Sequence, residues 1–464
     1  MQGVPMFSWK PWTVEDSRLK YLGLVEALEA DLRQGLVKPG DRLPPQRAIA
    51  EALGIDVTTV TRAFNEARRR GLVEANAGRG SFVRAAPEIA AASADRPVDL
   101  SMNIPPQPAG AALQRRIPEA IAGILSAPQG MLRLHYQQSE GSAPDRAAGA
   151  AWLAERLGSL APDRVIVAGG AQSALFAICS ALLKPGEALA AGRLTYPGFK
   201  AVAAQLNLPL VGLAIDENGI VPEDFERVCH ERSPRALYVI PAIDNPTTAT
   251  LPEGRRREIA EIARRHSVAI IEDDPYSCLR EQVVPTFAEI AGDITWHIAT
   301  LSKCLTPALR IAYTVAPDAG GAMRLAGILR ATSLMAPPLM AALAARWIAD
   351  GTAREVTDAV RHESAERQKL AATALGTATF FADPNGHHLW LKLPDHWRAE
   401  EFAAEADRSG IAIVPSGAFS ISGDPERAVR VSLGVAPDRA ALERGLTLLA
   451  RLLERPSYAA RVVV

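Results

Sequence analysis

The stretch that decides the fold reads Ala299-Thr300-Leu301-Ser302-Lys303-Cys304-Leu305-Thr306-Pro307-Ala308-Leu309-Arg310. A short apolar run closes on Lys303. Hydroxyls stand one and three residues before it (Ser302 and Thr300), and Arg310 stands seven residues after it. A lysine amine forms a Schiff base with an aldehyde, while hydroxyls and a guanidinium hold a phosphate. Pyridoxal phosphate, an aldehyde that carries a phosphate, suits that set.

Outward from this run, from about residue 150, amphipathic helices alternate with short β-rich segments at 164–168, 236–241, 268–273, 296–301 and 310–316. This is the α/β pattern of a mostly parallel sheet covered by helices. Ligands of such sheets bind at the carboxyl ends of the strands, and the polar motifs fall there. Gly169-Gly170-Ala171-Gln172-Ser173 follows the first strand and opens a helix. The free amides of a helix N-terminus make an anion site, although such a turn also serves as a plain strand-to-helix joint. It is not a dinucleotide fingerprint. Asn245 in Ile240-Pro241-Ala242-Ile243-Asp244-Asn245-Pro246-Thr247 puts an amide at a strand end, and Glu272-Asp273-Asp274-Pro275-Tyr276 puts a carboxylate three residues before a phenol. A buried Asp at a pyridine nitrogen keeps it protonated, and Asn245 and Tyr276 can bond a phenolic oxygen; singly, each also reads as a strand-end cap. Arg430, inside the apolar run Ala428-Val429-Arg430-Val431-Ser432-Leu433, wants a carboxylate from a substrate or from the protein.

In order and spacing, Gly170-Ala171-Gln172, Tyr196-Pro197, Asn245-Pro246-Thr247, Asp273 with Tyr276, Ser302-Lys303, Arg310 and Arg430 resemble the fold-type I aminotransferases over about residues 98–455. The Glu-Asp-Asp-Pro-Tyr form looks closest to the aminoadipate and kynurenine branch. The resemblance implies Lys303 as the catalytic, Schiff-base lysine and Asp273 on the pyridine nitrogen. Tyr276 and Asn245 would hold the phenolic oxygen, and Tyr196 would stack on the ring. Gly170, Ala171, Gln172, Thr300, Ser302 and Arg310 would form the phosphate cup, and Arg430 would take the α-carboxylate. Tyr136 matches a tyrosine that reaches the neighbouring subunit's phosphate, which implies a homodimer. Three departures stand out. Gly192-Arg193-Leu194 replaces an acidic residue, Asn103 stands on the substrate side where a glycine is usual, and His387-His388-Leu389-Trp390 replaces paired glycines. With no third ligand near them in sequence, His387 and His388 read as a surface or strand-edge pair, so no metal is expected.

The first eighty residues have a different character. Leu22, Val25, Leu28 and Leu32 recur at helical spacing up to Gly35. A second short helix opens at Leu43-Pro44-Pro45 and ends at Gly54, and Asp56 can cap a third that runs to Gly71. Leu72-Val73-Glu74 and Gly80-Ser81-Phe82-Val83 then flank a turn suited to a β-hairpin wing. The second and third helices have helix-turn-helix dimensions, with Thr58, Thr59 and Arg62 toward the major groove. Arg79, beside Gly80 at the wing tip, suits the minor groove or a phosphate. The Arg68-Arg69-Arg70 cluster ends a helix, where cations favour the dipole, so it serves structure as readily as DNA. Pro39-Gly40-Asp41-Arg42-Leu43-Pro44-Pro45-Gln46-Arg47, Thr59-Val60-Thr61-Arg62-Ala63-Phe64, Gly71-Leu72-Val73 and Gly78-Arg79-Gly80-Ser81-Phe82-Val83 together resemble the GntR-type winged helix over about residues 16–84. Val57 stands where that family commonly has an arginine, which shifts contact onto Arg47, Arg62 and Arg79.

The chain of 464 residues therefore divides into a winged helix-turn-helix head at 1–84, a linker at 85–97 and an aminotransferase-like body at 98–464. Within the body, a large subdomain is expected at about 135–330 and a small one at about 98–134 and 331–464. Net charge is −1, split as +3 on residues 1–84 and −4 on the rest, a weak asymmetry. The four cysteines form no C-x-x-C pair, and neither a signal peptide nor a spanning run is visible, so a soluble, cytoplasmic protein without membrane contact is expected. A GntR-type head on an aminotransferase body resembles the MocR-type regulators. That resemblance implies a homodimer on double-stranded promoter half-sites that senses pyridoxal phosphate, an amino acid or an amine. Two readings compete: a working aminotransferase with an accessory head, and a regulator whose body is only a dimerisation scaffold.

Overall fold

The computed structural model describes residues 20–33, 37, 40–69, 72–76, 80–83, 97–128, 130–423 and 425–455. The chain forms two compact units, Met1–Arg96 and Pro97–Val464. The expected linker lies outside the described residues except for Pro97.

In the first unit, helices α1 (Lys20–Arg33), α2 (Gln46–Leu53) and α3 (Val57–Arg69) precede an antiparallel hairpin, Val73–Asn76 with Gly80–Val83. Leu24, Val25 and Leu28 of α1 meet Ile49, Val60, Phe64, Val73 and Val83 in one small core. Gly54 ends α2 in the left-handed conformation (φ 63°), where its N–H reaches the carbonyls of Ala50 and Glu51. Glycine takes that backbone without a Cβ penalty, which makes the tight turn between the two helices possible. Asp56 then caps α3, accepting from the Thr58 N–H at 2.7 Å and from the Thr58 hydroxyl at 2.8 Å. These bonds hold the Asp56 carboxyl below its ordinary range. The Thr61 hydroxyl donates to Gln46 Oε1 at 2.8 Å and fastens α3 to α2.

The body is built on a seven-stranded sheet. Its order is Val165–Ala168, Ala312–Val315, Thr295–Thr300, Ala269–Asp273, Ala236–Val239, Leu189–Gly192 and Leu210–Leu213. Every neighbouring pair is parallel except the two made by Ala312–Val315, which runs against both its neighbours. Apart from the half-buried edge strand Leu210–Leu213, these strands are almost wholly buried, as parallel strands covered on both faces must be. Alternation sends Tyr238, Ile271 and Ile298 into one core and Leu237, Val239 and Ile270 into another on the opposite face.

A four-stranded antiparallel sheet (Phe380–Ala382, His388–Lys392, Ala428–Ser432, Val414–Pro415) forms the small subdomain. Leu389, Leu391, Val429 and Val431 pack with Leu100, Phe402, Leu442 and Leu446. The hydrophobic cores draw the subdomain boundary differently from the sequence reading. Ala111, Ala120 and Ile124, and likewise Ala336, Leu343, Trp347, Val356 and Val360, belong to the large core. The helix Thr352–Leu375 crosses over, since Ala371 and Leu375 lie in the small one. Membership follows which apolar surface each helix covers. Leu389 is fully buried at the middle of the small core, so Leu389→Ala should cost about 2–5 kcal/mol and lower the melting temperature of the body. An unchanged thermal transition would remove it from that core.

Candidate cofactor site and DNA-reading head

The antiparallel strand explains how distant motifs meet. Ala312 pairs with Ala168 on one side and Thr300 on the other, so its amino end lies at the carboxyl edge of both neighbours. Arg310 therefore arrives beside Gly170, on the edge that also carries Thr300 and Ser302. Gly170 (φ 90°) precedes the helix Ala171–Leu182, and a Cβ there would fall 2.8 Å from Arg310 Nη2. Glycine thus opens a cradle between free helix amides and a guanidinium, an anion site. The hydroxyl of Thr300 donates to Ser302 Oγ at 3.1 Å on the same edge. The Gln172 side chain turns aside to the Gly198 carbonyl at 2.8 Å, which leaves its backbone amide and that of Ala171 for the cradle.

Next to it, Asp273 is buried at the end of its strand. Oδ2 accepts from the Tyr238 hydroxyl at 2.9 Å, and Oδ1 has no hydrogen-bond partner among the described residues. Burial lifts the Asp273 carboxyl to about 6, against the pull of the Tyr238 bond. Tyr238 is itself stacked on Phe199, with ring centroids 3.7 Å apart. On the other face of the same strand Glu272 accepts from the Phe287 and Ala288 amides at 2.8 and 3.0 Å, with His297 Nδ1 2.8 Å away. Asp274 lies 3.8 Å from Arg156. The acidic run thus splits, with two carboxylates paired behind the strand and one presented in front.

Lys303 is half-buried and donates from Nζ to the Asn103 carbonyl. Burial brings its amine down to about 8; Arg430 adds to that shift and Asp273 opposes it. Asn103, buried, donates from Nδ2 to the Tyr276 hydroxyl at 2.8 Å and to His388 Nδ1 at 3.1 Å. Arg430, also buried, donates to Asn245 Oδ1 at 2.9 Å and to the Ser101 carbonyl, while its guanidinium lies 5.0 Å over the Phe419 ring. Burial lowers the Arg430 guanidinium to about 10. Among the described residues no carboxylate is paired with it; its acceptors are an amide oxygen and a backbone carbonyl. Tyr196 is half-buried within electrostatic reach of Asp273, Arg310 and Arg430, and Tyr136 is 82% exposed.

His387 and His388 are the clear correction. They are fully buried, not a surface or strand-edge pair. His387 Nε2 donates to the Lys303 carbonyl at 2.7 Å and its Nδ1 lies 2.9 Å from Ser364 Oγ. His388 Nε2 donates to the Asp244 carbonyl at 3.1 Å, which leaves Nδ1 to accept from Asn103. Burial holds His387 down to about 4 and keeps His388 well below the ordinary imidazole range, so both stay neutral. The reason lies in the small sheet. His388 pairs with Ser432 and Trp390 with Arg430, so this face of the strand turns to the site while Leu389 and Leu391 fill the core.

Tyr238, Ser101 and Asp244 are contacts that sequence reading missed. Tyr238 carried a signal in the run Ala-Leu-Tyr-Val-Ile-Pro, since a phenol inside a buried strand needs a partner. The two backbone carbonyls carried none.

The residues present fit pyridoxal phosphate. They offer an unpartnered buried carboxylate oxygen, a glycine-lined anion cradle and a lysine amine of lowered basicity on one strand edge. When bound, the cofactor supplies an aldehyde for a primary amine and a ring that withdraws electrons.

On the head, Arg47, Thr58 and Arg62 are exposed and Thr59 is half-buried, on the helix-turn-helix pair. The Thr58 N–H and hydroxyl donate to Asp56, the cap of α3. Val57, where an arginine is usual, is 40% exposed at the start of α3. Arg79 lies outside the described residues. Gly80 (φ 107°) is exposed, and a Cβ on it would meet Arg42 Nε at 3.1 Å. Arg42 thus joins the basic residues near the wing, an addition the sequence reading did not make.

Comparison with known proteins agrees with this geometry. Residues 20–83 match the bacterial regulatory proteins of the gntR family, and residues 95–449 match aminotransferase class I and II. The HTH-type transcriptional regulator YdeF of Bacillus subtilis (strain 168) is 30% identical over 98% of both chains. The probable rhizopine catabolism regulatory protein MocR of Rhizobium meliloti is 28% identical over 75% of each. Among solved structures, LysN, the α-aminoadipate aminotransferase of Thermus thermophilus in complex with N-(5'-phosphopyridoxyl)-L-leucine, superposes with a TM-score of 0.71 at 25% identity, covering 77% of this chain and 92% of that one. The chain belongs to the MocR-type group, in which a GntR-family head is joined to a class I and II aminotransferase body. Pyridoxal phosphate is the cofactor this family implies. Among the described residues, no helix is long and apolar enough to cross a membrane.

The Lys303 amine should react with an acylating reagent along a pH profile centred near 8, read by mass mapping of its peptide. Because protonation is disfavoured by Arg430 and favoured by Asp273, Arg430→Ala should move that midpoint up and Asp273→Asn should move it down. Shifts of the same sign in both variants would contradict the electrostatic account.

Proposed function

We propose that this chain is a homodimeric DNA-binding transcription regulator whose body takes pyridoxal phosphate at Lys303 and responds to it or to an amino compound. One observation carries the reading. The same chain holds a helix-turn-helix presenting Arg47 and Arg62 and a body whose Lys303 and Asp273 meet the chemical needs of the cofactor. Asp273 would pair with the pyridine nitrogen, and Asn245 and Tyr276 with the phenolic oxygen. Tyr196 would lie on the ring. The phosphate would sit among the amides of Ala171 and Gln172, the hydroxyls of Thr300 and Ser302, and Arg310, where Gly170 leaves room. Arg430 would exchange its Asn245 and Ser101 acceptors for an effector's carboxylate, with Asn103 and His388 bordering that place.

Self-association is supported by the run Met131, Leu132, Leu134 and Tyr136, which is 59, 52, 55 and 82% exposed. That much apolar surface in one segment favours a partner. A second copy would take Tyr136 to its phosphate cup and pair the heads on half-sites about 34–36 Å apart or multiples of it. Thr58, Thr59 and Gly80, with Arg79, would complete the contact to duplex DNA, and a promoter-binding role supports a cytoplasmic location. Regulation is then linkage: the effector must bind the DNA-competent and incompetent states unequally.

A second reading, an aminotransferase with an accessory head, is favoured by the lowered basicity of Lys303 beside a buried Asp273. Assay of a panel of amino acids with 2-oxoglutarate separates the two, since the regulator reading expects no turnover at ordinary enzyme rates of about 1–1,000 per second. Promoter footprinting with and without pyridoxal phosphate should change with the cofactor, and Lys303→Ala should abolish that change while leaving DNA binding intact. Identical footprints in both conditions would leave the body as a scaffold. Arg47→Ala and Arg62→Ala should each weaken DNA binding and reduce the salt slope by about 1, measured by fluorescence anisotropy.

A further inference from the structure

The helices Pro222–Arg232 and Glu253–Arg265 cover the face of the large sheet opposite Tyr238. Phe225, Val228 and Cys229 of the first, and Ile259, Ile262 and Ala263 of the second, lock them against Leu237, Val239 and Ile270. On their outer side three side chains converge that the cofactor site does not use. Glu226 and His230 stand one helical turn apart on the first helix, a spacing that puts both on one face. His266 caps the second helix, with its backbone N–H held by the Ile262 carbonyl at 3.1 Å. One ligand atom from each of the three lies within 4.8 Å of the others. The two imidazoles meet edge-on, with centroids 4.6 Å apart and planes at 87°, and His266 Nε2 is 4.0 Å from Glu226 Oε1.

We infer that Glu226, His230 and His266 form a binding site for a divalent transition-metal ion of the zinc type. Two imidazole nitrogens and one carboxylate oxygen match the donor preference of zinc, cobalt and nickel rather than that of magnesium or calcium. Bonds of about 2.0–2.1 Å in tetrahedral geometry set ligand atoms about 3.4 Å apart, so each side chain must move by less than about 1 Å to close on an ion. All three belong to helices fixed by a shared core, which keeps that movement to side-chain torsions. Arg265 Nη2 donates to Glu226 Oε1 at 2.6 Å. It thereby orients the carboxylate as an outer-shell partner does, and its own charge partly offsets the anion, which keeps the site to moderate affinity. Three protein ligands leave a fourth position for water or an external donor. Cys229, although adjacent, is no ligand, because its side chain is packed in the core.

The test uses the full-length chain, freed of any histidine tag and stripped with chelator. Calorimetric titration with zinc chloride should give one ion per chain, and cobalt(II) should produce a visible d–d absorption band. His230→Ala and His266→Ala should each weaken zinc binding by more than about tenfold, and the double variant should lose the cobalt band. Uptake of pyridoxal phosphate by the double variant should equal that of the wild type, which reports an intact body. Absence of zinc binding in the wild type, or zinc affinity that survives the double substitution, overturns the site.

Discussion

The carboxylate of Asp273 accepts one hydrogen bond, from Tyr238, and turns its second oxygen to no partner although the residue is buried. A buried carboxylate left half satisfied costs free energy, and the protein resists that cost by raising its pKa to about 6. The surroundings are arranged to hold it there. Phe199 stacks behind Tyr238, Glu272 is absorbed by two backbone amides and His297, and Asp274 faces Arg156. Lys303 in turn is poised between Asp273, which favours its charge, and Arg430, which opposes it. A cationic ring nitrogen placed at Asp273 Oδ1 would satisfy the orphan and relieve the strain on the whole set.

A similar economy governs the anion cradle. One strand running against its neighbours, Ala312–Val315, brings Arg310 to the edge where Gly170 and Ser302 already are. Had that strand been parallel, Arg310 would have entered the sheet from the far edge. In the head, Gly54 and Asp56 act within three residues to end one helix and start the next, so the angle of the reading pair is set locally.

Much of this was legible in the chain. Lys303, Asp273, Asn245, Tyr276, Arg310 and Arg430 stand out because each is a polar group at the end of, or inside, an apolar run, where chance rarely leaves one. Order along the chain then links them. The head was readable because its turns need specific residues, Gly54 and Asp56 among them. His387 and His388 were misread because burial of a neutral imidazole depends on which face of the small sheet turns inward, and that is settled by pairing with Ala428–Ser432. The carbonyls of Ser101, Asn103 and Asp244, which receive Arg430, Lys303 and His388, leave no trace in residue type at all. Likewise, helices outside residues 135–330 join the large core because packing assigns them by the apolar surface they cover.

The sequence by itself determined the division into a DNA-reading head and a cofactor-type body, and the identity of the charged groups that serve each. Periodicity, capping residues and isolated polar groups are local properties, and they survive in one dimension. Only the tertiary structure decided what each group faces: Tyr238 against Asp273, Asn103 and two neutral histidines against Lys303 and Tyr276, and Arg430 against an amide rather than a carboxylate. Those contacts join residues as far apart as Asn103 and His388. They are set by strand order, strand direction and the face each strand presents, none of which is written in any single stretch of the chain.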